Sequence, residues 1–179
     1  MSKKKTFFDK RIVVCGVLSA LSVLILYLGA IIEVLDLSVS AIASLVIVLI
    51  VIEMGYSYAW LTYIAVSILS VIVLPQKLAA IFFAAFMGFY PIVKSYIEKI
   101  RSAVLRWVIK ILIANAALVI FFFAIKIFVP EELETELMMW TLYIMALAAF
   151  ILYDIAISKL ITAYFYKFRD RLKIYKLLK

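Results

Sequence analysis

The 179-residue sequence has no histidine, one cysteine and only four glycines, and these shortages exclude several kinds of site. Without histidine and with a single thiol, the chain cannot build the common zinc sites, a Cys–His nucleophilic pair or a histidine-ligated haem. Four glycines are too few for a glycine-rich loop that cradles phosphate, and no G-x-S-x-G nucleophile motif is present. We therefore expect no catalytic residue, no metal site and no cofactor, and we do not expect an enzyme.

Charged residues are also scarce. They make up 17% of the chain, whereas soluble domains average about 25% charged residues. Hydrophobic residues make up 69%, whereas soluble domains average about 45–50%. A domain of this size still exposes roughly a third of its unfolded surface, so it cannot hide this much apolar surface from water. The composition excludes an ordinary soluble domain, a disordered chain and a secreted disulfide scaffold, and it predicts a polytopic membrane protein.

Six apolar segments are long enough to cross a membrane, which takes about 20 residues of helix. The predicted spans are residues 11–32, 37–54, 56–74, 78–93, 104–129 and 137–157, followed by a basic tail over 158–179. Gly55 carries the turn between the second and third spans. The fourth span is short because Lys94 ends its apolar run. The predicted fold is an all-α, single-domain bundle of six transmembrane helices.

The distribution of charge predicts the orientation of these spans, because lysine and arginine concentrate on the cytoplasmic side. If the N-terminus is cytoplasmic, every basic residue except Lys77 and Lys126 falls on that side. The opposite loops are acidic, with Glu33, Asp36, Glu131, Glu132, Glu134 and Glu136. Both termini are therefore predicted to be cytoplasmic. The net charge of +8 then reflects this bias and an attraction to anionic membrane lipid, with no nucleic acid as partner.

Few strongly polar side chains lie within the spans, and each has two interpretations. Asn115, near the middle of the fifth span, either orients a ligand or makes an interhelical hydrogen bond. Trp140 and Tyr143, near the outer end of the sixth span, either line an outward-facing pocket or belong to an aromatic belt. Gln76 and Lys77 lie at a comparable depth and could supply polar groups to the same pocket. These five residues are the candidate substrate-binding residues.

Asp154 in the sixth span is an ionisable group within the membrane, which makes it costly. It is either a proton or cation site, or the ion-pair partner of Lys110 or Lys159 near the inner interface. The sequence favours the ion pair, because the spans lack the paired mid-membrane carboxylates that proton-driven transporters use.

Small residues recur every four positions on two spans. Gly16 and Ala20 do so on the first span, and Ala80, Ala84 and Gly88 do so on the fourth. Such faces let two helix backbones approach closely. They serve either packing within the bundle or docking of a partner membrane protein, and the first span is the better candidate for docking.

The layout resembles the substrate-binding S component of energy-coupling factor transporters. The resemblance rests on six spans with both ends inside, the small-residue face of the first span, and the stretch from Ser38 to Lys94. That stretch contains Glu53-Met54-Gly55-Tyr56, then Pro75, then Gly88-Phe89-Tyr90-Pro91. S-component-like proteins of Gram-positive bacteria often show such a run, with a glycine in the tight link between the second and third spans.

The resemblance implies a membrane subunit that captures a small solute from outside for ATP-driven uptake. Gly16 and Ala20 would dock on the coupling subunit, which works with separate ATPases, and Asn115, Trp140 and Tyr143 would contact the solute. The absence of histidine argues against the nickel and cobalt type. The alternative function is a non-transporting scaffold of the bacterial membrane that binds another membrane protein.

Overall fold

The computed structural model describes residues 3–32, 36–128 and 136–168, and their regular elements are all helical. They are α1 (Lys3–Ile31), α2 (Asp36–Glu53), α3 (Tyr56–Val73), α4 (Lys77–Phe82), α5 (Tyr90–Ile97), α6 (Ala103–Phe128) and α7 (Glu136–Ala163). A π-helical segment, Phe83–Met87, lies between α4 and α5, and a second one, Tyr164–Phe168, follows α7.

Six helices in this part of the chain are long and apolar enough to cross a membrane, which confirms the predicted all-α fold and the number of spans. They are Lys10–Ile31, Asp36–Glu53, Tyr56–Val73, Lys77–Ile97, Ala103–Phe121 and Tyr143–Lys167. The fourth combines α4, the first π segment and α5. The chain therefore has the helices of a multi-pass membrane protein.

Two predicted boundaries need correction. The fourth span continues to Ile97 instead of ending at residue 93, because Lys94 lies inside the bundle and not in a loop. The last helix continues to Ala163, beyond the predicted start of the tail at residue 158. The acidic residues at 33 and 131–134 and the tail from residue 169 lie outside the described residues.

The first four helices share a core in which backbones come very close. A Cβ placed on Gly29 of α1 would lie 2.5–2.6 Å from the Cβ and both Cγ atoms of Val39 on α2.

Gly55 has a φ of 97°, which a glycine adopts without strain, and its N–H donates to the Ile50 carbonyl at 3.0 Å. The glycine therefore makes the tight turn between α2 and α3, as predicted.

The bundle has a basic end, formed by the start of α1, the α2–α3 turn, the α5–α6 link and the end of α7. Contacts within this end join Cys15 to Met54 (Sγ–Sδ 3.3 Å) and the Tyr164 hydroxyl to Glu53 (3.0 Å). Every described lysine and arginine side chain except Lys77 belongs to this half of the bundle. The described basic side chains other than Lys77 are thus gathered at one end of the bundle.

Candidate functional site

A buried charge cluster lies near the basic end where α5, α6 and α7 meet. It comprises Tyr90, Lys94 and Glu98 of α5 and the following turn, Lys110 of α6 and Asp154 of α7. The first three are spaced by four residues and therefore share one face of the helix. Lys94, Lys110 and Asp154 are only 1%, 6% and 3% exposed.

Asp154 is the centre of this cluster. Its Oδ1 accepts hydrogen bonds from the Lys94 ammonium and from the Tyr90 hydroxyl (2.6 Å), and its Oδ2 accepts one from Lys110 (2.8 Å). The exposed Glu98 carboxylate lies 3.1 Å from the Lys94 Nζ and 3.5 Å from the Lys110 Nζ. Two ammonium groups and two carboxylates are thereby balanced, and the cluster links three spans through ionic hydrogen bonds.

The predicted pairing of Asp154 with Lys110 is present, whereas the role of Lys94 was missed. The sequence pattern placed Lys94 at the cytoplasmic end of the fourth span or in the adjoining loop, since the positive-inside rule accounts for a lysine at the end of an apolar run. A local sequence pattern could have indicated that Lys94 belongs to a buried charge cluster. Lys94 has Tyr90 four residues before it and Glu98 four residues after it, so one helix face carries two groups able to donate to a carboxylate and one carboxylate able to accept from the lysine.

A polar cleft of about 440 Å³ lies beside the charge cluster, between α6 and α7. Lys110, Asp154 and Glu98 form part of its wall, together with Arg106, Trp107, Ile155, Ser158, Lys159, Ile161 and Thr162. Arg106 is half-buried and Lys159 is exposed, and neither forms an ion pair with another residue that the structure describes. The cleft therefore offers two cations that no carboxylate among the described residues neutralises.

The π segment in the fourth span is held by tyrosine hydroxyls from two other helices. Tyr63 of α3 donates to the Ala84 carbonyl at 2.8 Å, and Tyr153 of α7 donates to the Met87 carbonyl at 3.0 Å. The Tyr153 hydroxyl also lies 2.7 Å from the Ser44 hydroxyl of α2. A π segment frees backbone carbonyls from the regular ladder, and in an apolar bundle these need other donors.

Replacing Tyr153 by phenylalanine is expected to destabilise the bundle by about 0.6 to 1.7 kcal/mol, because the Met87 carbonyl then loses its donor. Unfolding in mixed micelles titrated with dodecyl sulfate, followed by circular dichroism, measures this change. Tyr166→Phe is the matched control, since the Tyr166 side chain is 88% exposed. A loss of stability of the same size in Tyr166→Phe would contradict the proposed role of the Tyr153 hydroxyl.

A second, smaller cavity of about 60 Å³ lies next to the π segment. It is almost wholly apolar and is lined by Leu37, Phe82, Phe86, Met87, Ala114, Ala117, Leu118, Phe121, Ala146, Ala149 and Phe150. This volume is about twice the roughly 30 Å³ that one water molecule occupies in the liquid, so the cavity admits only a very small apolar group.

Two of the predicted site residues are brought together by the fold. The Tyr143 hydroxyl donates to the Asn115 Oδ1, and the Asn115 amide donates to the Ile111 carbonyl at 2.8 Å. The interhelical hydrogen bond expected for Asn115 is therefore present. The pair does not line the apolar cavity, although the neighbouring residue Ala114 does. The Trp140 side chain lies outside the described residues.

Gln76 and Lys77 lie at the opposite end of the bundle and line neither cavity. The Lys77 ammonium donates to the Val71 carbonyl at 2.8 Å and to the Leu74 carbonyl at 2.6 Å. These are carbonyls at the C-terminus of α3, where a cation is favourable. Gln76 is exposed and makes no capping hydrogen bond to α4.

The two small-residue faces have different surroundings. On the fourth span, Ala80 is fully buried, and a Cβ on Gly88 would lie 2.7 Å from the Tyr63 ring and 2.9 Å from the Phe83 carbonyl oxygen. Ala84 is half-buried and belongs to the same packed face. On the first span, Gly16 and Ala20 are exposed, and nothing lies within 4 Å of a Cβ placed on Gly16. Within the part of the chain that the structure describes, the fourth-span face is thus filled and the first-span face is open.

Comparison with known protein families, with curated proteins and with solved structures finds no match for this chain.

Proposed function

We propose that this chain is a membrane subunit that docks on another membrane protein through the open face of α1 and binds a small solute. In its specific form the proposal is an S-component-like role in ATP-driven uptake. The basic end would face the cytoplasm, as the positive-inside pattern favours, in the plasma membrane of a Gram-positive bacterium. The partners would be membrane lipid, a coupling subunit and its ATPases.

The observation that carries the proposal is the exposure of Gly16 and Ala20 on α1. A glycine on a lipid-facing helix surface leaves a notch next to the backbone, since no side chain covers it. Open space surrounds the missing Cβ of Gly16, so a partner helix could approach the α1 backbone closely there. Close approach of this kind is how small residues promote helix association in membranes.

The break in the fourth span supports the solute-binding part of the proposal. Discontinuous helices and π segments recur at binding sites in membrane transport proteins. Here the π segment Phe83–Met87 borders the apolar cavity, which α6 and α7 close from the other side. A solute larger than a few atoms would require α6 and α7 to separate from the π segment.

Docking predicts that Gly16→Leu weakens the complex with the coupling module by about tenfold or more, because the added side chain keeps the partner backbone away. The measurement is the ATPase activity that co-purifies with the tagged chain from its native membrane. Ala116→Leu is the matched control, since Ala116 is an equally exposed small residue on α6. Full ATPase activity with Gly16→Leu would rule out docking through α1.

A non-transporting scaffold is the second candidate, and the small volume of the apolar cavity favours it. A scaffold would use the same α1 face but would co-purify with a membrane partner that has no ATPase activity. It would also carry no small molecule after gentle extraction. Mass spectrometry of the extracted complex therefore separates the two candidates.

A further inference from the structure

We propose that the polar cleft between α6 and α7 binds the phosphate headgroup of an anionic membrane phospholipid. This site is independent of the solute and of the docking face on α1. It uses residues at the basic end for which neither the bundle core nor the proposed function provides a role.

The charge of the cleft favours an anion. In the charge cluster, the two ammonium groups and the two carboxylates neutralise one another. Arg106 and Lys159 add two further positive charges to the lining of the cleft. Among the described residues that line the cleft, Glu98 is the acidic group at the exposed edge, and its carboxylate lies within 4 Å of both lysines of the cluster. The field of these residues is therefore positive, and a phosphate would meet no uncompensated carboxylate among them.

The donors in the cleft suit a phosphate. The Arg106 guanidinium presents a planar fork of N–H groups that matches two phosphate oxygens, and Lys159 supplies a compact charge from the opposite helix. The Lys110 ammonium interacts with Asp154 and Glu98 inside the cluster and lies 5.4 Å from the centroid of the Trp107 ring, so Arg106 and Lys159 are the groups left to hold the phosphate. A single phosphate would thus be held from both sides.

The surroundings of the cleft favour a lipid over a free anion. Arg106 lies one turn from the start of α6 and Lys159 one turn from the end of α7, so both belong to the basic end of the bundle, where anionic headgroups would meet it. Trp107, 43% exposed, stands at the cleft wall with its amphipathic ring. One turn farther into the membrane, Ile111 and Ile151 are exposed, so acyl chains could pack against apolar surface below the bound phosphate. Basic pockets between membrane helices characteristically hold anionic headgroups.

The test uses Trp107 as a reporter in the full chain carrying Trp60→Phe and Trp140→Phe. The protein is reconstituted in vesicles containing either brominated phosphatidylglycerol or brominated phosphatidylcholine, and quenching of Trp107 fluorescence gives the relative affinity of the two lipids. We expect phosphatidylglycerol to be preferred. Arg106→Gln together with Lys159→Gln should lower the preference about fivefold for each cation removed, and about 25-fold for both.

The matched control removes two other cations at the same end, by Arg101→Gln together with Lys167→Gln, both of which are exposed and lie outside the cleft. This control should keep the preference. Equal quenching by the two lipids in the parent protein would overturn the proposal, as would an equal loss of preference in the control. Inorganic phosphate at matched ionic strength distinguishes the sources, because displacement of the lipid by it would mean that the cleft takes a free anion.

Discussion

Replacing Asp154 by asparagine is expected to lower the free energy of unfolding by about 3–5 kcal/mol. The substitution keeps the size of the side chain but removes the charge that faces two buried ammonium groups. Lys94 and Lys110 then have Glu98 as their remaining carboxylate partner, and the Glu98 side chain is 44% exposed. A buried ion without its partner costs far more than the pair contributed, because its desolvation is no longer compensated. Unfolding in mixed micelles titrated with dodecyl sulfate measures the difference.

Glu98→Gln is the matched control for this prediction. Glu98 contacts the same two lysines, but its side chain is 44% exposed, so its removal should cost about 1 kcal/mol or less. The triple variant Lys94→Met, Lys110→Met and Asp154→Leu should recover most of the stability that Asp154→Asn loses, since no buried charge remains. If Asp154→Asn costs no more than Glu98→Gln, the cluster does not hold α5, α6 and α7 together.

Replacing Gly29 by alanine is expected to destabilise the bundle by about 1–3 kcal/mol, although alanine is the better helix former. The new methyl group would lie 2.5–2.6 Å from three atoms of Val39, one of them the Cβ. A Cβ cannot move away by side-chain rotation, so α1 and α2 would have to separate. The same unfolding titration measures the loss.

Two further variants isolate the contact between α1 and α2. Gly16→Ala adds the same methyl group to the same helix where nothing lies within 4 Å, so it should leave stability unchanged or raise it by about 1 kcal/mol or less. Val39→Ala in the Gly29→Ala background removes two of the three atoms that the methyl group meets, the two Cγ atoms, and should restore part of the lost stability. A Gly16→Ala protein as unstable as Gly29→Ala would show that the effect is not one of packing.

The number and the type of the membrane helices could be predicted from sequence because the membrane imposes a local rule. About 20 apolar residues are needed for each span, and a regular helix satisfies its backbone hydrogen bonds internally. The Gly55 turn is likewise local, since it depends on one residue that adopts a positive φ. The end of an apolar run proved a weaker signal, because Lys94 stays inside the bundle instead of ending the span.

The partner of each polar or small residue could not be predicted, because it depends on which helix faces which. Lys94 lies inside the bundle only because Asp154, 60 residues later, is carried by a helix that packs against α5. Gly16 and Gly88 have the same kind of spacing in sequence, yet one faces open space and the other the Tyr63 ring. Sequence by itself therefore determined the six helices and their charged end, through the length and polarity that a bilayer demands. Only the tertiary structure decided which charges are buried together and which faces stay open, because those contacts join residues that are distant in the chain.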